Sequence, residues 1–294
     1  MAEPVSGKKS PSRQSSPPPF QTGAIKNAVP PADIKPLITT GQAHTEPVAQ
    51  GVDLSGRPKI ILTAGRGKTG KTLFLRWLAE AAQKAERPHL LADIDPTNAT
   101  FSTYFEAVAR PNSFNHTTVR DWLQEFIEYA IAHRSTAIID LGGGDTILRT
   151  IASEMPGFDA MMEDAGLSMV MFYLVGPHPE DLTPAATLAA LGFNPRARAI
   201  VLNEGVAPLG TARDQAFARV LATDLYKSQI AGGAIPIWMP RLFAADAVEA
   251  RTASFVAARD GQTNPPLGIF DRSRVNTWMR AMDEQFAGVA SWMP

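Results

Sequence analysis

The 294-residue chain contains no cysteine. That absence excludes disulfides, thiolate nucleophiles and cysteine-held zinc or iron–sulfur clusters. Histidine is scarce too, and the five residues at 44, 89, 116, 133 and 178 lack metal-ligand spacing. Charge of one sign is missing: 28 Lys and Arg stand against 29 Asp and Glu, for a net charge of −1. No global basic excess therefore argues for nucleic-acid binding, which leaves only a local patch open. No apolar run approaches the roughly 20 residues that cross a bilayer, the longest lying around Leu167–Val175. The first twenty residues are polar and proline-rich, so a secretory leader is not expected. Composition thus leads to the expectation of a cytoplasmic protein.

What is present divides the chain in two. Nine prolines fall in the first 50 residues, densest around Ser-Pro-Ser-Arg-Gln-Ser-Ser-Pro-Pro-Pro. Such composition buries too little apolar surface to order itself, so residues 1–55 are expected to be a disordered tail. A solvated spacer and a binding arm are the two readings of its basic residues, Lys8, Lys9, Arg13, Lys26 and Lys35. From residue 56 to 294 the sequence is expected to form a single domain. Apolar runs at Ile60–Ala64, His89–Ile94, Thr136–Leu141, Met169–Val175, Ala197–Asn203 and Ala234–Trp238 alternate with helical periodicity near 70–86, 117–133, 179–191, 211–229, 243–258 and 272–290. Strands apolar on both faces, separated by helices, predict an α/β fold with a doubly wound, mostly parallel sheet of about six to seven strands.

The strand at 59–64 runs directly into Gly65-Arg66-Gly67-Lys68-Thr69-Gly70-Lys71-Thr72. This is the phosphate-loop pattern G-x-x-x-x-G-K-[ST], with a strand before it and a helix after it. The glycines let backbone N–H groups curl around a β-phosphate while the helix aims its positive end at the same group. Lys71 can reach the β/γ-phosphates, and Thr72 offers a hydroxyl to Mg²⁺. Two further strands end in carboxylates, as Asp93-Ile94-Asp95-Pro96 and as Ile138-Ile139-Asp140-Leu141-Gly142-Gly143-Gly144. Asp93 and Asp95 sit where α/β sheets bind ligands, and either could orient water or hold Mg²⁺; a capped turn before Pro96 is the alternative. Asp140 fits the strand-end carboxylate that supports Mg²⁺ through its water shell.

In this order and spacing, residues 58–260 resemble the ParA/MinD family of P-loop ATPases, whose phosphate loop is a deviant Walker A motif. Asp93-Ile94-Asp95-Pro96-Thr97-Asn98-Ala99-Thr100 is similar to that family's segment after its second strand, and Ile139-Asp140 to the one before its second switch. Val201-Leu202-Asn203 resembles the strand-end Asn that contacts adenine, and Ile235-Pro236-Ile237-Trp238-Met239-Pro240-Arg241 the last strand and following Pro-Arg. The resemblance implies an ATP- and Mg²⁺-dependent switch, slow and partner-stimulated, that dimerises on ATP. Such a switch segregates, positions or transfers DNA or another cargo, as in plasmid partition or conjugation. It leaves nonspecific DNA open as a partner. It assigns Gly65, Gly67, Lys68, Thr69, Gly70, Lys71 and Thr72 to phosphate binding, Asn203 and Pro240 to the base, and Asp95, Lys71 and Arg66 to catalysis. Thr72, Asp140 and Asp93 would support the metal.

One departure stands out. Arg66 occupies the place of the family's signature lysine, which reaches a dimer partner's nucleotide, and Lys68 replaces the second glycine. Arg66 could clamp phosphate in trans, or point to solvent with dimerisation lost. Near the C-terminus Val275, Trp278, Met279, Met282, Phe286 and Val289 recur at helical spacing. The mixed-charge polar face favours docking on the core over membrane contact. Two other function classes remain: a metabolic ATP-dependent enzyme such as a dethiobiotin-synthetase-like ligase, and a nucleotide-binding adaptor without hydrolysis. Guanine readers of the P-loop class use Asn-Lys-x-Asp, whereas this strand ends Asn203-Glu204-Gly205-Val206, so ATP is the expected nucleotide.

Overall fold

Strands whose side chains are apolar on both faces can be satisfied only between two layers of helices, and that is the arrangement found. The computed structural model describes residues 48–95, 100–113, 115–142 and 146–294. Its central sheet holds β1 (Lys59–Ala64), β2 (His89–Asp93), β3 (Val108–Ala109), β4 (Thr136–Asp140), β5 (Ser168–Val175), β6 (Ala197–Asn203) and β7 (Ile235–Met239). The seven strands lie in the order β3-β2-β4-β1-β5-β6-β7, and every pair is parallel. All six residues of β1 and all eight of β5 are buried.

Side-chain alternation sorts the core by face. Ile61, Val170, Phe172 and Val201 join α1 (Lys71–Lys84), α10 (Phe255–Asp260) and α11 (Ile269–Gln285) on one side. Ile60, Leu62, Ile139, Met169 and Met171 join α3 (His116–Ala132), α4 (Thr146–Glu154), α6 (Thr183–Ala190) and α7 (Arg213–Leu221) on the other. The remaining helices are α2 (Thr100–Tyr104), α5 (Phe158–Asp164), α8 (Asp224–Ala231) and α9 (Ala245–Glu249).

The sheet has the expected class and strand count, with one strand the sequence hid: β3 is only two residues long, too short to show alternation. Two expected helices are each broken in two. Thr223 caps α8 by accepting from Tyr226 N at 3.1 Å, and Ser254 caps α10 by accepting from Ala257 N at 3.1 Å, so 211–229 and 243–258 restart midway. The C-terminal helix docks on the core as its spacing implied, with Val275, Trp278, Met282, Phe286 and Val289 all buried. Met162, Met169 and Met171 are core filler, while Met161 is exposed.

Residues 48–55, expected to belong to the tail, are hydrogen-bonded to the C-terminal segment. Gly51 N donates to Gly288 O at 2.9 Å, Trp292 Nε1 to Val52 O at 2.8 Å, and Leu54 N to Ser291 Oγ at 3.1 Å. Leu54 is buried in the same cluster as Trp292. The stretch was hidden because its partners lie over 230 residues away. The remainder of the expected tail, 1–47, lies outside the described residues.

Two charges enter the core from α1. The Arg76 guanidinium lies 3.4 Å over the Tyr104 ring and 4.6 Å over Phe255, and donates to Ala253 O at 2.9 Å. Glu80 accepts from Phe255 N at 2.7 Å, at the start of α10. Burial pushes its carboxyl up to about 7, against the opposing pull of Arg76 and those backbone donors.

Two outcomes are expected. A chain starting at 56 melts several degrees below one starting at 48, because losing the Leu54 burial costs about 1.5–3 kcal/mol, worth 2–4 °C per kcal/mol at this size; equal melting points would contradict this. For Glu80, the folded state holds its proton more tightly than the unfolded one, so its contribution weakens as pH rises from about 4.5 to 7. Glu80→Gln removes that slope. The variant gains on wild type by up to about 3 kcal/mol across this window, measured by denaturant unfolding at stepped pH; a pH-independent difference would contradict it.

Candidate functional site

Parallel pairing brings the carboxyl ends of β1, β2, β4, β5 and β6 to one edge of the sheet, and the site is assembled there. The chain leaves β1 at Gly65 and turns through Thr69, whose hydroxyl donates to Arg66 O at 2.8 Å. Gly70 then opens α1 with φ +92°. A Cβ at Gly70 would meet Asn203 Nδ2 at 2.4 Å, so both the backbone sign and the space require glycine. Lys71 is buried, and its Nζ donates to Gly65 O at 2.8 Å and Arg66 O at 3.0 Å. The ammonium is therefore folded into the mouth of the loop, over the N-terminus of its own helix. The next residue, Thr72, donates from its hydroxyl to Asp140 Oδ2 at 3.1 Å, tying the loop to β4.

Asp140 is nearly inaccessible, and Gly142 N donates to its other oxygen at 3.0 Å. Burial raises its pKa, and the charges of Asp93 and Asp95 add to the rise. Asp93 and Asp140 are register partners at the ends of adjacent strands. The oxygens of Asp93 accept from Asp95 N at 3.1 Å and Ser102 N at 3.0 Å, the latter in α2. Both are thus engaged by the turn after β2, as in the capped-turn alternative. Asp95 is buried beside Gly142, where a Cβ would come within 2.6–2.9 Å of its carboxyl atoms. With φ +72° as well, Gly142 lets the β4 loop close on Asp95. Pro96–Ala99 and the glycines at 143 and 144 lie outside the described residues.

Asn203 closes the other flank. Its Nδ2 donates to Thr69 O at 2.8 Å and its Oδ1 accepts from Gly205 N at 2.8 Å. The Asn203 amide thus braces the loop 65–72 against the end of β6. Beside it opens a cleft of about 460 Å³, lined among others by Glu204, Leu209, Arg213, Pro240, Phe243 and Trp278. Pro240 is held in place by Trp278 Nε1, which donates to its carbonyl at 2.9 Å. Arg213 sits 4.8 Å over the Trp238 ring, and Arg241 donates to Ala207 O. Burial raises the pKa of Glu204, opposed by Arg213 and Arg241.

The two departures of the loop have distinct outcomes. Lys68 is exposed and holds φ +67°, the left-handed region that favours glycine. Arg66 lies 3.5 Å from Asp181 Oδ1 of its own chain. Asp181 escaped the sequence reading, although its place just after β5, in Gly176-Pro177-His178-Pro179-Glu180-Asp181, is the ligand-binding end of a strand. The cleft residues Glu204, Arg213 and Phe243 were also missed, since only folding gathers them.

The donor set fits a magnesium nucleotide: a buried ammonium resting on backbone carbonyls and a hydroxyl–carboxylate pair at the same helix end. No group of three His, Cys, Asp or Glu among the described residues is arranged to hold a metal unaided.

No protein-family profile matches the chain, and no curated protein matches it. Among solved structures it is similar to the MinC:MinD cell division protein complex of Aquifex aeolicus, at 12% identity and TM-score 0.44, over 76% of this chain and 95% of that one. It is also similar to the cell division protein FtsY of Thermotoga maritima, at 13% identity and TM-score 0.42, over 80% of this chain and 72% of that one. A third is chloroplast FtsY of Physcomitrella patens, at 12% identity and TM-score 0.42, over 65% of this chain and 62% of that one.

The Lys68 backbone yields an expected outcome. Lys68→Gly removes the left-handed penalty of a side-chain-bearing residue, about 1–2 kcal/mol, and adds back glycine's unfolded-state entropy, about 0.5–1 kcal/mol. Denaturant unfolding should show a net gain of roughly 1 kcal/mol; a clear loss would mean that the Lys68 side chain makes compensating contacts.

Proposed function

We propose that this chain is a nucleotide-dependent switch of the ParA/MinD kind: an ATPase that binds Mg·ATP in the loop 65–72, hydrolyses it slowly, and pairs with a second copy while ATP is bound. The observation that carries the reading is Lys71 Nζ lodged on Gly65 O and Arg66 O, next to the Thr72–Asp140 hydrogen bond. A cation held by two carbonyls at a helix N-terminus occupies the place of a phosphate's counter-charge. Phosphate oxygens offer it stronger, charge-assisted acceptors than these carbonyls do.

The bound Mg·ATP supplies the transferable phosphoryl group and the charge that screens it. The roles of the chain's own residues follow from their places. Backbone N–H groups of Gly67 to Lys71 would hold the phosphates, Lys71 would supply their counter-charge, and Thr72 and Asp140 would hold the metal with its water shell. Asp95, pressed against Gly142, positions water at the γ-phosphate, so the β4 loop can sense whether that phosphate is present. The nucleoside lies in the cleft bordered by Pro240, and Asn203 acts through Thr69 by holding the loop rather than by reading the base. ATP is preferred over GTP because the Asn-Lys-x-Asp pattern is missing after β6. Segregation, positioning or transfer of DNA or another cargo, with a partner that stimulates turnover, is the cellular role this reading favours. Among the described residues no helix is long and apolar enough to cross a membrane.

A second reading, a nucleotide-binding adaptor without hydrolysis, is favoured by one observation: Arg66 is paired with Asp181 in its own chain instead of standing free.

Substitutions decide between them. Lys71→Ala should weaken ATP binding, measured by titration calorimetry, at least a hundredfold; affinity within threefold of wild type would remove the site assignment. Asp95→Ala should keep ATP affinity within threefold and lose turnover by about 10²–10⁴, the range for a positioned general base. Normal turnover in Asp95→Ala, with loss in Asp93→Ala, would exchange the two roles. The absence of turnover in wild type, with or without DNA, would leave the adaptor.

A further inference from the structure

Arg66 stands at the mouth of a second, smaller cleft of about 280 Å³ on the β5 side of the phosphate loop, lined also by Lys68, Gly176, His178, Asp181 and Val206. Asp181 is the one acid in this lining, against two permanent cations and an exposed histidine. It is also well fixed. Its side chain is only 7% exposed, and Gly176 N donates to Oδ2 at 3.1 Å. A Cβ at Gly176 would fall 2.7 Å from that oxygen, so the sequence keeps room for the carboxylate. Arg66, by contrast, is 55% exposed and meets the other oxygen, Oδ1, at 3.5 Å, an ion-pair distance longer than a good charge-assisted hydrogen bond. One partner is anchored, and the other can leave.

We propose that Asp181 is a positioning residue: the cis counter-ion that holds Arg66 beside its own phosphate loop and withholds the guanidinium from a second copy until phosphate oxygens of that copy's nucleotide replace the carboxylate. The proposal rests on the nucleotide switch put forward above. On release Asp181 keeps its bond from Gly176 N, which holds the carboxylate in place. A half-exposed pair of this kind is a weak restraint, able to bias an equilibrium by up to about fivefold. Such a bias sets a protein-concentration threshold for assembly without preventing assembly.

Asp181→Asn separates the restraint from the fold, since the amide oxygen still accepts from Gly176 N while the charge is gone. The test uses the full chain with Mg²⁺ and a slowly hydrolysed ATP analogue, and reads mass by sedimentation velocity across a protein dilution series. Asp181→Asn should pair at a two- to fivefold lower protein concentration than wild type, with an unchanged melting temperature. The Arg66 Nε–H resonance of the nucleotide-free protein should also shift. An Asp181→Asn midpoint equal to or above that of wild type overturns the proposal. If wild type binds the analogue and stays monomeric, there is no second copy to gate and the proposal also falls, with nucleotide binding intact. If wild type does not bind the analogue at all, the nucleotide reading itself fails.

Discussion

Parallel pairing of β1 with β4 on one side and β5 on the other is the constraint on which the site depends. Ile60, Ile61 and Leu62 are register partners of Ala137, Ile138 and Ile139, and all six residues of β1 pair along β5. Parallel strands end at the same edge, so Gly65, Asp140 and Gly176 emerge together although over a hundred residues separate the first from the last. The pairing requires strands apolar on both faces and helices over both faces. Those runs were the clearest signal in the sequence. A one-residue slip of β4 would turn Asp140 away from Thr72 and remove the loop's tie to the sheet.

What could be read in advance follows from how local the information is. The candidate phosphate loop was legible because its pattern is written in eight consecutive residues, and the strand before it and the helix that Gly70 opens are both found. The fold class was legible because a buried strand and an amphipathic helix each have a period. Tertiary facts were hidden. Within residues 48–55, Leu54 and the Val52 carbonyl are satisfied by Trp292 and Ser291, at the far end of the chain. The breaks within 211–229 and 243–258 were foreshadowed by Thr223 and Ser254, both good N-caps, but apolar periodicity on either side masked them. The donors on Asp93, Asp95 N and Ser102 N, were likewise invisible in the sequence, because the turn after β2 brings them together.

Charge in and around the site follows one rule: carboxylates that must stay near each other are each held by N–H or O–H donors. Asp140 has Thr72 and Gly142, and Asp93 has Asp95 and Ser102. Burial and mutual repulsion still raise the pKa of Asp140, so the cluster carries unfavourable electrostatic energy that cations can relieve. A divalent cation at this edge would supply that relief, which links the metal expected by the site to the stability of its carboxylates.

Arg66 and Lys68 show how substitution inside a loop can change its charge. Lys68 adopts a left-handed conformation that favours glycine, and it places a cation at the surface. Arg66 presents a planar fork where a lysine would be a point charge, and a fork needs an acceptor of matching shape. Asp181 provides a carboxylate and Gly176 the space for it, both at the end of β5. The two sites belong together in folding as well as in charge: β5 pairs with β1 over its first six residues, so the loop that carries Arg66 and the turn that carries Asp181 leave adjacent strands at the same edge. The acid next to Arg66 is therefore a consequence of sheet order. Any rearrangement that frees the arginine needs only to move its side chain, while the strands that position both groups stay in place.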